Sequence, residues 1–197
     1  MREMLKLFIA VVVFSALSGG VLAAIQNVTK ERIEYQQLKF VKGPTIKQIM
    51  EGSSNDPLMD RLKLVDESRE MNFFIGKFEG KPDAVAFETF GKGYGGTIGV
   101  IVGVDLENDQ IIGIGVTTHS ETPGVGSRAK TDPAFADQFK GLSISEPLKV
   151  KADGGQIDAL SGATISSRGV TGAVVEAGEI YQRLKPTLVE KIKQYQG

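Results

Sequence analysis

Residues 97–118 read Thr97-Ile-Gly-Val-Ile-Val-Gly-Val-Asp-Leu106, then Glu107-Asn108-Asp109, then Gln110-Ile-Ile-Gly-Ile-Gly-Val-Thr-Thr118. Two β-branched runs separated by a short polar, acidic stretch predict a β-hairpin. Upstream, Met71–Phe78 and Ala84–Phe90 are short, apolar and alternating, and predict two more strands. Downstream, Val170, Val174, Ala177, Tyr181 and Leu184 recur at spacings of four, three, four and three. Such spacing is one face of a helix, expected to begin near Ser166 or Ser167. Lys185-Pro186 is expected to interrupt it, with Leu188–Tyr195 continuing as a tail helix. Strands first, then a helix behind a loop, predict an α+β domain built on a mostly antiparallel sheet with flanking helices.

The remaining segments carry weaker signals. Asp132-Pro-Ala-Phe opens a short helix predicted to reach Phe139, with Pro133 at its first position. Leu148–Lys151 suits a short strand. Residues 28–42 hold mixed charges and helix formers, as a juxtamembrane helix would, and Gly43-Pro44 is expected to break it. Ser53-Ser-Asn-Asp-Pro57 is expected to cap another short helix.

From Leu7 to Asn27 no residue is charged, and Leu7–Ile25 is almost continuously apolar. About 20 such residues span a hydrocarbon core. Arg2 and Lys6 precede the run, so the short tail is expected to stay cytoplasmic and the rest of the chain to be translocated. A cleaved signal peptide is the competing reading, with Leu22-Ala23-Ala24 near a cut, but the run exceeds the ~7–15 residues of a signal core. A retained single-pass anchor in the inner (plasma) membrane, with the domain outside the cytoplasm, is the expectation. The predicted partition is 1–27 tail and anchor, 28–70 juxtamembrane helical segment, 71–185 main domain and 186–197 tail helix.

Composition excludes several functions. Across 197 residues, 23 Lys+Arg nearly cancel 24 Asp+Glu, leaving no basic stripe for a nucleic-acid backbone. The absence of cysteine removes disulfides, thiolate-held metals and iron–sulfur ligation, and a single histidine, His119, cannot build a multi-histidine site. No metal site is expected, and redox chemistry would need an organic cofactor.

Gly91-Lys-Gly93-Tyr-Gly95-Gly96 satisfies Gly-x-Gly-x-x-Gly. A dinucleotide fingerprint needs a helix after it, whereas Thr97–Leu106 is strand-patterned, so a turn is expected with Tyr94 a candidate ligand contact. Asp158-x-x-Ser161-Gly162-Ala163-Thr164 is more informative. It sets a hydroxyl among small residues just ahead of a helix start, where unpaired backbone N–H groups favour a phosphate. Arg168 could add a charge-assisted bond there, or simply be solvated. Ser161, Thr164 or Ser166 could equally be plain N-caps, and the residues alone leave both roles open. Thr117-Thr118-His119-Ser120-Glu121-Thr122-Pro123-Gly124-Val125-Gly126 places polar, acidic and turn-forming residues in one exposed loop, which suits either binding or a simple turn.

Taken in order, Gly93-Tyr94-Gly95-Gly96, His119-Ser-Glu121-Thr122-Pro123-Gly124-Val125-Gly126 and Asp158-x-x-Ser161-Gly162-Ala163-Thr164 resemble the covalent FMN-binding domain family. The resemblance is closer to the G subunit of the Rnf-type electron transport complex, which is related to the C subunit of the sodium-translocating NADH:quinone reductase. It runs from about Gly91 to Leu184. Val125 stands where the family pattern has leucine, a conservative change.

The resemblance implies that Thr164 carries FMN through a phosphoester and that Asp158 belongs to the signal read by a flavin transferase. It further implies an electron-transfer subunit, without catalytic residues of its own, working among other membrane subunits of a ferredoxin- and NAD-linked ion-translocating complex. FMN would lie among Ser161, Gly162, Ala163, Ser166 and Arg168, with Tyr94, Glu121 and Gly124 nearby, Thr122 a polar contact and Val125 an apolar wall. Two other classes compete: a serine hydrolase using Ser161 or Ser166 with His119, and a non-redox extracytoplasmic binding or structural module.

Overall fold

The expected hairpin forms: β4 (Thr97–Asp105) and β5 (Ile111–Val116) pair antiparallel. They close a five-stranded meander with β1 (Arg61–Asp66), β2 (Arg69–Phe78) and β3 (Lys81–Lys92), each strand antiparallel to its neighbour in sequence. β1 and β5 are the edges. The computed structural model describes residues 2–67 and 69–194. They fall into two compact units that meet in sequence between Phe40 and Val41.

The first unit is α1 (Arg2–Gln37), whose apolar portion, Arg2–Lys30, has the length and composition to cross a membrane. After a π-helical turn at Leu38–Lys42 comes α2 (Gly43–Ile49), with Pro44 in its first turn. Gly43-Pro44 therefore starts a helix where the sequence suggested a break. Proline loses nothing there, because first-turn N–H groups have no intrahelical acceptor.

Because side chains alternate along a strand, β4 feeds both faces of the sheet. Val100, Val102 and Val104 join Phe73, Ile75, Val85 and Phe87 in a core roofed by α5 (Thr164–Gln194). On the opposite face Gly103 and Gly113 leave room for Ile49 of α2. The α5 stripe is wider than the predicted one: Val170, Val174, Ala177 and Tyr181 are buried as expected, and Ala173 and Ile180 join them, while Leu184 is half-buried.

Several expectations need correction. α5 begins at Thr164 and runs unbroken through Pro186. Leu188 and Ile192 are buried beyond the proline, and that packing outweighs the lost hydrogen bond. The predicted tail helix is thus the end of α5; residues 195–197 lie outside the described ones. β1 and α2 belong with the sheet, in a region read as juxtamembrane helix. Pro57 sits in a turn, where Asp56 Oδ1 accepts from the Leu58 N–H at 3.2 Å, not in a capped helix. The Asp132 helix is shorter than predicted: after Arg128–Thr131 (α3), α4 spans Pro133–Asp137, with Asp132 accepting from the Ala134 N–H as its cap. The Leu148–Lys151 strand shrinks to a single parallel bridge, Val150 to Ile157. Gly93–Gly96 is a turn between β3 and β4, with no helix following it.

Contacts at three levels fix α5 on the sheet. Near its start, Gly169 meets Gly91 of β3 backbone to backbone; a Cβ on Gly91 would fall inside the Gly169 carbonyl oxygen, and one on Gly169 would lie 2.8 Å from the Lys92 oxygen. Thr89 Oγ1 donates to the Ala173 carbonyl one turn on, at 2.8 Å. Further along, Tyr181 Oη and Lys185 Nζ both donate to Asp109 in the β4–β5 turn, at 2.6 Å each to Oδ1. Burial alone would raise the Asp109 carboxyl, but the bonds from Lys185 and Tyr181 outweigh it and hold it below the usual range. Burial and the same carboxylate push the Tyr181 phenol up.

Gly91→Ala is expected to destabilise the protein by about 1–3 kcal/mol, because backbone must move to admit the methyl; chemical denaturation measures it. Asp109 sits at φ 56°, a conformation asparagine accepts, so Asp109→Asn isolates the charge. A depressed folded pKa stabilises above the unfolded value and stops doing so as pH falls through the folded one. The melting-temperature gap between wild type and Asp109→Asn should therefore be full at neutral pH and close below about pH 4.

Candidate functional site

The turn before α5 is stitched to it by one residue. Gly162 adopts φ 77°, a conformation that favours glycine, and lets the chain reverse into the helix. Ser167 Oγ accepts from the Leu160 N–H and donates to the Ala163 carbonyl, both at 3.0 Å. The Ala163 carbonyl also takes the Ser167 N–H at 2.9 Å, closing the first helical turn. Thr164, Ile165 and Ser166 are then the residues whose N–H groups helix geometry leaves without an intrahelical acceptor.

Those three residues, with Gly162 and Ala163, form one wall of a cleft of about 350 Å³. The opposing wall comes from the loop after β5 (Glu121, Thr122, Val125 and Gly126) and from Tyr94 in the β3–β4 turn. The loop holds its shape through Val125 and Ser127 N–H bonds to the Thr122 carbonyl, both at 3.2 Å, and a Gly124 N–H bond to Ser127 Oγ at 2.9 Å.

Glu121 joins the three segments. It is 6% exposed. Its Oε1 accepts from the Gly95 N–H at 2.8 Å, and its Oε2 accepts from Ser166 Oγ. Its own N–H donates to His119 Nδ1 at 3.2 Å. A Cβ at Gly126 would lie 2.6 Å from both Glu121 Oε2 and Ser166 Oγ, so glycine makes this close approach possible.

The structure gathers Tyr94, Glu121, Thr122, Val125, Gly162, Ala163, Thr164 and Ser166 around one cleft, and leaves four of the predicted residues off its lining. Gly124 and Ser161 sit in the flanking turns. Asp158 is exposed, paired with Lys151 at 2.7 Å and held through its backbone by Gln138. Arg168 makes two 2.7 Å bonds to Asp153, which holds the Asp153 carboxyl below its usual range. Gly126, Ile165 and Ser167 were missed. Gly126 was visible in the Pro-Gly-Val-Gly string, but nothing in sequence says which of two adjacent buried serines lines the cleft. The Ser166 hydroxyl is bonded to a carboxylate, so the serine–imidazole pairing of a hydrolase is not made there.

Chemically, the cleft offers an anion-favouring helix start, a chain reversal without a Cβ at Gly162, a hydroxyl at Thr164, and apolar surface from Val125, Ile165 and Tyr94. Its volume is within the range of small-molecule sites. A molecule with a phosphate at one end and a flat apolar body at the other fits this set of groups.

Residues 93–179 match the FMN-binding domain family, a span that includes every residue lining the cleft. The chain is 33% identical over 180 residues to the G subunit of the ion-translocating oxidoreductase complex of Vibrio cholerae, covering 85% of each chain. It is 35% identical to the protein of the same name from Salmonella typhi, covering 86% of this chain and 87% of that one. The chain belongs to the family of G subunits of ion-translocating oxidoreductase complexes. Among solved structures it resembles the C subunit of the Na(+)-translocating NADH-quinone reductase of Parabacteroides distasonis, with a TM-score of 0.50 and 26% identity. That match covers 59% of this chain and 63% of that one. Shewanella oneidensis NqrC shares the fold at a TM-score of 0.54 and 24% identity, over 71% of this chain and 72% of that one.

Ser167→Ala removes the acceptor of a buried N–H, and is expected to destabilise the protein by about 1–3 kcal/mol. Denaturant titration should show a lower midpoint with an unchanged slope.

Proposed function

We propose that the chain is a membrane-anchored flavoprotein electron carrier in an ion-translocating redox complex, with FMN esterified through its phosphate to Thr164. One observation carries the attachment site. Of the hydroxyls in the first two turns of α5, Thr164 lines the cleft and forms no side-chain hydrogen bond among the described residues. Ser166 is 2% exposed and committed to Glu121. Ser167 is bonded twice, and Thr171 is buried and donates to the Ser167 carbonyl. Ser166, the next alternative, is thereby disfavoured.

Bound FMN supplies one- and two-electron chemistry; the chain's part is to bind, orient and shield. The first-turn N–H groups of α5 and the Thr164 oxygen hold the phosphate end, Val125 and Tyr94 supply apolar contact, and Thr122 a polar one. Arg168 is engaged by Asp153 and lies off the cleft lining. Threonine is a poor nucleophile, so attachment requires a flavin transferase, with exposed Asp158 in the segment it reads. A covalent tether keeps the flavin at high effective concentration where a dissociated one would be lost. α1 anchors the chain, and Arg2 and Lys6 before its apolar run favour a cytoplasmic tail with the flavin unit on the extracytoplasmic side. Its partners are the other membrane subunits.

Membership of a sodium-translocating quinone reductase, as its C subunit, is the second reading, supported by the Parabacteroides structure. The G-subunit relatives match at higher identity over more of the chain, which favours the first.

Full-length protein made together with a flavin transferase should fluoresce under ultraviolet light on a denaturing gel and carry one FMN of extra mass. Thr164→Ala should lose both signals while keeping its circular dichroism. Fluorescence persisting in that variant moves the attachment elsewhere, and a colourless wild type removes the function.

A further inference from the structure

The first turn of α5 already holds a negative charge. Both Glu121 oxygens accept hydrogen bonds, one of them from Ser166, the third residue of the helix, which is how a carboxylate is held. The group is buried, and it lines the same cleft as Thr164. Helix starts stabilise anions, but here part of that stabilisation is taken before any ligand arrives. A phosphate entering the cleft must sit beside this charge, in surroundings that screen it far less than water does.

The two forms of a flavin phosphate differ in how much repulsion they meet. Free FMN is a phosphate monoester, with about 1.5–2 negative charges at pH 7. Once esterified to a hydroxyl, it is a diester with a single charge. Resting on the reading of this cleft as the FMN site, we propose that Glu121 is a specificity-determining residue that selects against phosphate monoesters. The site then accepts the flavin in its esterified, singly charged form and turns away loose FMN. Ordinary phosphate cradles add a lysine or arginine; this cleft is lined by a buried carboxylate, and the nearby Arg168 is held by Asp153.

The test uses full-length Thr164→Ala protein in detergent and three soluble flavins: riboflavin, FMN and riboflavin 5′-(methyl phosphate). Binding is read by fluorescence quenching at pH 7. The methyl phosphate diester should bind about tenfold tighter than FMN, the size of one extra charge at short range in a partly screened site. Adding Glu121→Gln should strengthen FMN by about the same factor and leave riboflavin, which has no phosphate, within about twofold. Diester and monoester binding alike to Thr164→Ala would overturn the proposal without recourse to the second variant. So would a Glu121→Gln change that moves riboflavin and FMN together, which marks a purely structural role. Wild-type protein lacking covalent flavin would instead sink the underlying function, so the two failures are told apart.

Discussion

Gly91 and Gly169 allow β3 and α5 to touch backbone to backbone, and the position of everything at the cleft follows from that contact. With side chains at either position, α5 would stand off the sheet by the thickness of a methyl group or more. Its first turn would then lose register with the β3–β4 turn and with the loop after β5. Thr89, bonded to the Ala173 carbonyl, repeats the attachment one turn later. The core under α5 supplies most of the apolar burial, but aliphatic packing tolerates small shifts. A backbone contact of this kind does not. The cleft is assembled from three separate segments and needs that rigidity.

Within the cleft, Glu121 performs the same service for the polar groups. It bonds the Gly95 N–H on one side and Ser166 on the other, so Tyr94 and the α5 start are spanned by one side chain. Ser167 does the equivalent work behind the wall, holding the Leu160–Ala163 turn in place. Thr164 lines the cleft without a side-chain hydrogen bond among the described residues, whereas Ser166 and Ser167 are committed to structural bonds. Position and availability together, not any special reactivity, distinguish it.

Much of this is legible in the sequence. The β-branched runs of β4 and β5, the stripe from Val170 to Tyr181 and the order of three motifs convey the architecture and most of the cleft. Other features are not local. β1 reads as helical because Leu62 and Leu64 alternate with charges over too few residues to outvote their helix-forming neighbours; it is a strand because β2 offers it a ladder. Pro186 reads as a stop because the burial of Leu188 and Ile192 against a distant sheet cannot be seen from the helix alone. Arg168 is a natural phosphate ligand by its position near a helix start, yet Asp153, fifteen residues earlier, takes it. Choosing between Ser166 and Ser167 depends on the rotation of α5, which the Gly91 contact sets.

The meander also leaves two borders, and neither is an open template. β5 is capped by the Leu142 segment, whose carbonyl takes the Ile111 N–H at 2.9 Å. β1 is only six residues long, with Arg61 and Lys63 exposed along it. Short, cationic rims of this kind resist strand addition by a neighbouring molecule. A strand from a second copy therefore finds no long, flat edge to extend.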